Sequence, residues 1–239
     1  MLSLYLALIG VAVGVALEAL VAELAVAPRD PDDGDEPEPA PPQRGALSAE
    51  SGALVLAAEG ERGVWLRRLV IVGTTSGLFA AAAARFEPQH LALVTAYICV
   101  LVVCAATDAL SFRVPNLVTY PAILGALVAG AAMPDASIVS VLGGGALAGG
   151  LFLLPSLLTG GIGMGMGDVK LAAFAGLALG FPIILPALVV TALAGGAVSL
   201  ALLVTRVRSR REPIPYAPFI AAGAVAAMLL QGTAFVSLG

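Results

Sequence analysis

Histidine, cysteine and charged residues are all scarce in this chain of 239 residues. Its two cysteines, Cys99 and Cys104, form no CxxC pair, which excludes a zinc knuckle and a disulfide framework. Because His90 is the single histidine, a metal site built on several imidazoles is also excluded. We therefore predict neither a metal ion nor another cofactor, and we interpret both cysteines as small core residues.

The scarcity of charged residues indicates whether the chain folds in water or in a membrane. Only 12% of the residues are charged and 59% are hydrophobic, so the composition is far from that of a soluble domain. Runs of about 20 apolar residues span a bilayer as helices. We predict an all-α, polytopic membrane helical bundle of about eight transmembrane helices. The predicted spans are Leu2 to Ala27, Leu66 to Ala84, Leu91 to Thr107, Leu117 to Met133, Ile138 to Leu158, Val169 to Ile184, Ala187 to Val204 and Phe219 to Leu238.

Basic residues orient this bundle, because Lys and Arg near span ends are retained in the cytoplasm. Of the 12 basic residues, all except Arg85 fall in or beside the connections of one side. We therefore expect a multi-pass inner-membrane protein with both termini outside. This orientation places Asp108 and Asp168 at the cytoplasmic face and His90 on the outer side. The separation of His90 from both acids excludes Ser-His-Asp and Cys-His mechanisms.

The sequence divides into three parts: a first transmembrane helix (1–27), a cytoplasmic loop (28–65) and a membrane domain (66–239). The loop begins with PRDPDDGDEPEPAPPQRG, which is too acidic and proline-rich to bury a core, so we interpret it as a partly disordered spacer. Residues 46–63 could form a short amphipathic helix. The sequence has no stretch in which arginines alternate with aromatic residues, so it gives no indication of nucleic-acid binding.

The first span has a second interpretation, since AVA at 25–27 resembles a signal-peptide cleavage site. The absence of a basic n-region and the long apolar run favour a membrane helix instead. Glu18 and Glu23 lie within this span. We expect them to make structural hydrogen bonds rather than to act in catalysis.

Two acids carry the functional prediction. Asp168 lies in the apolar, glycine-rich run GMGMGDVKLAAFAGLALG, and Asp108 ends another apolar run. Carboxylates at membrane depth indicate functional sites, and two of them suggest an aspartic pair in which one acid stays protonated while the other activates water. Asp108 is expected at a helix C-terminus and Asp168 at a helix N-terminus. The helix dipoles therefore predict Asp168 as the ionised base and Asp108 as the proton donor.

Glycines surround Asp168 at Gly160, Gly161, Gly163, Gly165 and Gly167. They allow close approach of a substrate backbone and positive φ angles, which suits a cavity where an extended peptide lies beside a catalytic acid. The alternative is ordinary close packing of transmembrane helices through small residues. With Asp168 at the end of the run, we favour a site.

Three sequence blocks resemble the type IV prepilin peptidases, membrane aspartic proteases of the GxGD type. They are Asp108 with the following Arg113 and VPN at 114–116, GMGD at 165–168 followed by Lys170, and IPYAPFIAAGAV at 214–225. The resemblance covers roughly residues 66–238. It implies that Asp108 and Asp168 are the catalytic pair and that no cofactor is needed. It also implies removal of a short basic leader from prepilin-like substrates at the cytoplasmic membrane face.

Gly165, Gly167, Lys170 and Arg113 are the candidate substrate-binding residues. For Lys170 and Arg113 the alternative is anchoring at the lipid interface. The sequence departs from bifunctional members of the family, which carry two CxxC pairs between the first two spans, and it has Glu18 where an asparagine is usual. We therefore predict peptidase activity without N-methylation. The sequence names neither the particular pilin nor an oligomeric state.

Two other functions remain open. A different GxGD intramembrane protease would use the same acids, but its members carry a YD motif where this chain has Thr107 before Asp108. A carboxylate-dependent transporter or assembly factor would use the acids to relay protons or bind cations. A transporter or assembly factor would not explain the VPN and APF segments, so we favour the peptidase.

Overall fold

A computed structural model describes residues 2–27, 61–134, 136–158, 164–205 and 214–233. These residues form eight helices and, within the described ranges, no strand. The helices are α1 (Leu2–Val26), α2 (Glu61–Arg85), α3 (Pro88–Ser111), α4 (Asn116–Ala132), α5 (Ile138–Leu158), α6 (Met166–Leu179), α7 (Ile184–Val204) and α8 (Ala217–Gln231). The chain separates into two compact units, Met1–Val118 and Thr119–Gly239.

The prediction of an all-α, polytopic membrane protein is confirmed. By length and composition, α1, α2, α3, α5 and α7 are each apolar enough to cross a bilayer, so the described residues provide five such helices. Helices α4, α6 and α8 are shorter, at 17, 14 and 15 residues. The eight predicted spans therefore all correspond to helices, but α6 and α8, at 14 and 15 residues, fall short of the length of a full span.

Helix boundaries follow the sequence signals closely, with three main differences. The predicted eighth span, Phe219 to Leu238, is wrong at its C-terminal end, because α8 stops at Gln231, where Gly232 adopts a φ of 89°. The predicted sixth span, Val169 to Ile184, is wrong at both ends, because α6 begins at Met166 and stops where Gly180 adopts a φ of 71°. Helix α2 begins at Glu61, so the end of the predicted loop 28–65 is already helical. The rest of that loop and most of the amphipathic helix predicted at 46–63 lie outside the described residues.

In the first unit, glycines bring α1 and α2 into close contact. A Cβ atom added at Gly10 would lie 2.7 Å from Ser76 Cα, and one at Gly14 would lie 2.8 Å from Val72 Cα. Ser76 uses this proximity to donate a hydrogen bond of 2.9 Å to the carbonyl of Ala7. Small residues spaced four apart allow such backbone approach between membrane helices, where aliphatic packing alone provides little driving force.

The same helix pair holds a buried ion cluster. Glu18 is 4% exposed, and its Oε1 accepts a hydrogen bond of 2.9 Å from Arg67 Nη2. Its Oε2 accepts a second bond of 3.2 Å from Nε of Arg68, which also lies over the Trp65 ring. These contacts support the structural role expected for Glu18. Glu23, by contrast, is exposed.

In the second unit, α5 and α6 cross with their backbones in contact. A Cβ atom added at Gly144 would overlap the Gly176 carbonyl oxygen and lie 2.8 Å from Gly180 Cα. At the next residue of each helix, the Leu177 side chain fills the space left by Gly145. This crossing fixes α6, the helix that carries Asp168, against α5.

We predict that Gly144→Ala destabilises the protein by about 1 to 3 kcal/mol, because the added methyl group overlaps backbone atoms that cannot rotate away. Gly150→Ala in the same helix is the matched control, since a Cβ at Gly150 meets nothing within 4 Å. Thermal unfolding in detergent should show a lowered Tm for the first variant only. Equal Tm values for the two variants would contradict the described crossing of α5 and α6.

We also predict that Glu18→Gln costs about 3 kcal/mol, since it removes the buried carboxylate that accepts hydrogen bonds from both Arg67 and Arg68. The exposed Glu23 on the same helix provides the control variant Glu23→Gln. The measurement is the free energy of unfolding in a denaturing-detergent titration. A Glu18→Gln protein as stable as wild type would show that the ion cluster contributes nothing to holding α1 against α2.

Candidate functional site

Asp108 lies in the last turn of α3 and is 6% exposed. The helix ends because Phe112 adopts the left-handed conformation, with φ 54° and ψ 41°, and its N–H donates to the Asp108 carbonyl at 2.8 Å. Two hydroxyl groups next to the acid bond back to the helix: Thr107 Oγ1 to the Val103 carbonyl at 2.8 Å, and Ser111 Oγ to the Thr107 carbonyl at 2.7 Å. The expected position of Asp108 at a helix C-terminus is confirmed.

The segment after Asp108 connects α3 to α4. Arg113 Nη1 donates a hydrogen bond of 2.8 Å to the carbonyl of Ala27, one residue beyond the end of α1. Val114 and Asn116 are buried, and Val118 N–H donates to the Pro115 carbonyl as α4 begins. Arg113 therefore ties the start of this connection to the end of α1. Its predicted contact with substrate stays a prediction.

Asp168 lies in the first turn of α6, as its sequence position predicts. Gly165 is the residue before the helix, in an extended conformation with φ −70° and ψ 149°, and its carbonyl accepts a hydrogen bond of 3.1 Å from the Asp168 N–H. The residue as a whole is half-buried, and its carboxylate oxygen Oδ1 is buried. Free N–H groups and the partial positive charge of a helix N-terminus favour a negative charge at this position.

The conformational argument for the glycines is wrong for Gly165 and Gly167. Gly165 has an ordinary negative φ, and Gly167 is helical. Positive φ among described glycines occurs at Gly180 and Gly232 instead. Among the described residues, a Cβ atom at Gly165 would meet only Gly167 N, at 4.0 Å, so this part of the fold leaves that space open. Gly160, Gly161 and Gly163 lie outside the described residues.

Lys170 follows Asp168 by two residues, and its Nζ lies 4.8 Å from the centroid of the Tyr120 ring. Tyr120 is 50% exposed, so this cation–π contact forms at an accessible edge of the second unit. The contact gives the ammonium group a defined position near the start of α6. Substrate binding by Lys170 stays a prediction.

Helix α5 secures the chain where it enters α6. Ser156 Oγ donates a hydrogen bond of 2.9 Å to the Met164 carbonyl and lies 3.8 Å from Met166 Sδ. One turn earlier on α5, Phe152 packs edge-to-face with Tyr216, the residue that precedes α8. The IPYAPF segment of the sequence therefore lies close to the start of α6.

Sequence reasoning did not single out Tyr216, Ser156 and Tyr120, whose contacts lie around the start of α6. Tyr216 belongs to a block that the sequence analysis singled out, so the signal was present there without a role for the phenol. Ser156 and Tyr120 carry no comparable signal, because isolated hydroxyl groups are common in membrane helices. Within the described ranges, no group of three His, Cys, Asp or Glu residues could hold a metal ion.

Comparison with known proteins identifies the segment that contains both acids. Residues 95–200 match the family model described as Type IV leader peptidase family. A protein of Burkholderia pseudomallei named prepilin leader peptidase/N-methyltransferase is 37% identical over 179 residues, which covers 72% of this chain and 57% of that protein. A Bacillus subtilis protein of the same name is 35% identical over 158 residues, which covers 65% of this chain and 62% of that protein.

A third relative, from Aeromonas hydrophila and with the same name, is 29% identical over 134 residues, which covers 54% of this chain and 46% of that protein. The chain thus spans about half to three fifths of the length of these curated relatives. No solved structure matches it. The matched segment includes Asp108, the VPN sequence and GMGD in the order expected from the resemblance. Through this segment, the chain belongs to the type IV leader peptidase family.

Proposed function

We propose that the protein is a membrane aspartic endopeptidase that removes the short basic leader from type IV prepilin-like substrates. The carrying observation is that the family-matched segment contains two acids in otherwise apolar helices, Asp108 at the end of α3 and Asp168 at the start of α6. The names of the relatives support the substrate class. We place the enzyme in the inner membrane, with its active site on the cytoplasmic side and both termini outside.

The proposed reaction needs only the two carboxyl groups and water. Asp168, ionised, accepts a proton from water while the oxygen of that water bonds to the scissile carbonyl carbon. Asp108, protonated, donates its proton to the carbonyl oxygen, so the intermediate is a neutral gem-diol. Asp108 then takes back a proton from one hydroxyl group as the C–N bond breaks, and Asp168 protonates the leaving nitrogen. Both acids return to their starting states.

The positions of the acids support this division of roles. The N-terminus of α6 stabilises a negative charge at Asp168, whereas the C-terminus of α3 disfavours one at Asp108. Two carboxylates that share one proton need such an inequality to hold distinct starting states. The pairing of Asp108 with Asp168 is itself part of the proposal, because Asp108 lies in the first unit and Asp168 in the second.

The proposed substrate suits the proposed orientation. A leader rich in Lys and Arg stays in the cytoplasm by the same charge rule that orients this chain. Gly165 then contributes open space beside Asp168 for an extended substrate backbone, and Gly167 adds no side chain in the first helical turn. Lys170 and Arg113 are the proposed cationic contacts. We propose that the protein does not methylate the cleaved product. Bifunctional members of the family carry two CxxC pairs between the first two spans, whereas Cys99 and Cys104 lie within α3 and form no such pair.

We predict that Asp108→Ala and Asp168→Ala each reduce leader cleavage by at least about 100-fold, because either change removes half of the acid–base chemistry. The measurement is gel-shift cleavage of a prepilin-like substrate in membranes at matched expression. Glu87→Gln, a carboxylate change outside the helices, serves as the control. Normal cleavage by either alanine variant, or no cleavage by wild type across several leaders, would refute the peptidase and direct attention to carboxylate-dependent transport.

The neutral variants Asp108→Asn and Asp168→Asn separate the two roles in the same assay. An asparagine keeps the size of a protonated aspartic acid but cannot act as a base. We therefore expect Asp168→Asn to retain less activity than Asp108→Asn. The opposite order would reverse the assignment of base and proton donor.

We also predict that Gly165→Ala leaves the Tm within about 1 °C of wild type but lowers cleavage by about 10-fold or more. The described residues accommodate a Cβ at this position, so we expect the added methyl group to obstruct the substrate backbone rather than the fold. Gly125→Ala in α4, where a Cβ also meets nothing within 4 Å, is the control. Full activity of Gly165→Ala would remove Gly165 from the substrate-binding residues.

A further inference from the structure

Arg68 is held on the surface of α2 by two contacts. Its Nε donates a hydrogen bond of 3.2 Å to Oε2 of the buried Glu18 on α1. Its Cζ lies 5.8 Å from the centroid of the Trp65 ring, about one turn earlier on α2. The charge-assisted bond and the cation–π contact together restrict the orientation of the guanidinium group. Arg68 is therefore positioned before any ligand arrives.

The guanidinium group of Arg68 keeps capacity to bind a further group. Its side chain is 52% exposed, and within the described residues its Nη1 and Nη2 atoms donate no hydrogen bond. The neighbouring Arg67 differs, because its side chain is only 11% exposed and it donates two bonds, of 3.3 and 2.9 Å, to Oε1 of Glu18. Arg67 thus belongs to the contact between α1 and α2, whereas Arg68 presents N–H groups at the surface.

The charge of this cluster favours an anion at Arg68. Glu18 brings one negative charge to two guanidinium groups, and in the described part of the chain Arg68 forms no ion pair with another carboxylate. A single carboxylate cannot neutralise both arginines. The planar guanidinium group matches the oxygen atoms of a phosphate, which it binds through two parallel N–H groups. Phosphate is therefore the anion that suits Arg68 best.

An exposed apolar strip lies beside Arg68 on α2. Its members are 57–71% exposed and, at i and i+4 spacing, share one side of the helix. They are Trp65, Leu66, Leu69 and Val70. The strip lies near the start of the part of α2 that is apolar enough to cross a bilayer, Gly63–Arg85. Tryptophan is enriched at the headgroup level of a membrane, so this end of the strip suits the boundary between phosphates and acyl chains.

We propose that Arg68 and the apolar strip form a binding site for an anionic phospholipid. The lipid phosphate binds Nη1 and Nη2 of Arg68, and an acyl chain lies along the strip. A zwitterionic lipid carries its own cation beside the phosphate, which offsets the attraction to the arginine. A free phosphate would use the guanidinium group alone and leave the strip uncovered. Glu18 is a positioning residue here, since it orients Arg68 without touching the lipid.

This site goes beyond the proposed peptidase and does not depend on it. All of its residues lie on α1 and α2, within the first unit. Neither Asp108 nor Asp168 takes part. Lipid binding at Arg68 can therefore be measured without a leader substrate, and its result is separate from that of the cleavage assay.

The test uses the fluorescence of Trp65, which is the single tryptophan of the chain and therefore reports on this site alone. The full-length protein is reconstituted in equal mixtures of phosphatidylglycerol and phosphatidylcholine, with bromine atoms on the acyl chains of one lipid or the other. Bromine quenches tryptophan fluorescence on contact. We expect stronger quenching when phosphatidylglycerol carries the bromine, corresponding to about a 5-fold preference for that lipid.

Arg68→Gln should lower this preference to about 1, because it removes the charge and the N–H fork. Arg85→Gln is the matched control, since Arg85 is an exposed arginine at the other end of α2 and should leave the preference at Trp65 unchanged. Far-UV circular dichroism checks that both variants keep their helices. Equal quenching by the two lipids in wild type, or an unchanged preference in Arg68→Gln, would overturn the site.

Two further arms separate the lipid from other anions. Replacing chloride by inorganic phosphate at constant ionic strength should leave the preference intact, whereas its loss would assign Arg68 to free phosphate and overturn the lipid. Changing the acids of residues 30–38 to their amides should also have no effect. A preference that appears only after this change would show that the chain's own acidic segment occupies Arg68, which would overturn the lipid as its ligand.

Discussion

A carboxylate enters an apolar helical protein only where another group compensates for its lost hydration. The described acids do so in different ways. Glu18 is paired with two guanidinium groups, which makes it part of the scaffold between α1 and α2. Asp168 lies at the positive end of α6 and Asp108 at the negative end of α3. The first arrangement neutralises an acid, whereas the second and third give two acids unequal tendencies to ionise.

Glycine serves four separate purposes in this chain. At Gly144 and Gly176 it allows two helix backbones to touch, and at Gly180 its positive φ ends a helix. At Gly195 it leaves room for a phenol, and at Gly165 it leaves space that no part of the described fold fills. A high glycine content is therefore compatible with a specific fold, because each position lacks a side chain for its own reason.

Much of the fold could be predicted from the sequence, because apolar runs and helix-ending residues report directly on membrane helices. The predicted span Ile138 to Leu158 coincides with α5, and Asp108 and Asp168 lie at the helix ends expected for them. The end of α6 was missed because Gly180 stops the helix inside a continuous apolar run. Hydropathy contains no information on that conformational change.

The surroundings of the site were less accessible to sequence reasoning, because they depend on contacts between helices far apart in the chain. The bond from Arg113 to the Ala27 carbonyl joins residues separated by 86 positions. The Tyr216 ring contacts Phe152 and Phe219 and occupies the space beside Gly195, and these three residues lie on three different helices. The motif containing Tyr216 could be recognised, but the contacts of its ring depend on the positions of α5 and α7.

The shortness of α6 has a consequence for the lipid around it. A helix of 14 residues rises about 21 Å, whereas the hydrocarbon core of a bilayer is about 30 Å thick. This hydrophobic mismatch must be met by local thinning of the bilayer or by neighbouring protein that covers the helix ends. Nine of the 14 residues of α6 are buried, so neighbouring protein of the second unit covers most of this helix. Protein side chains rather than lipid therefore form most of the surroundings of the helix that carries Asp168.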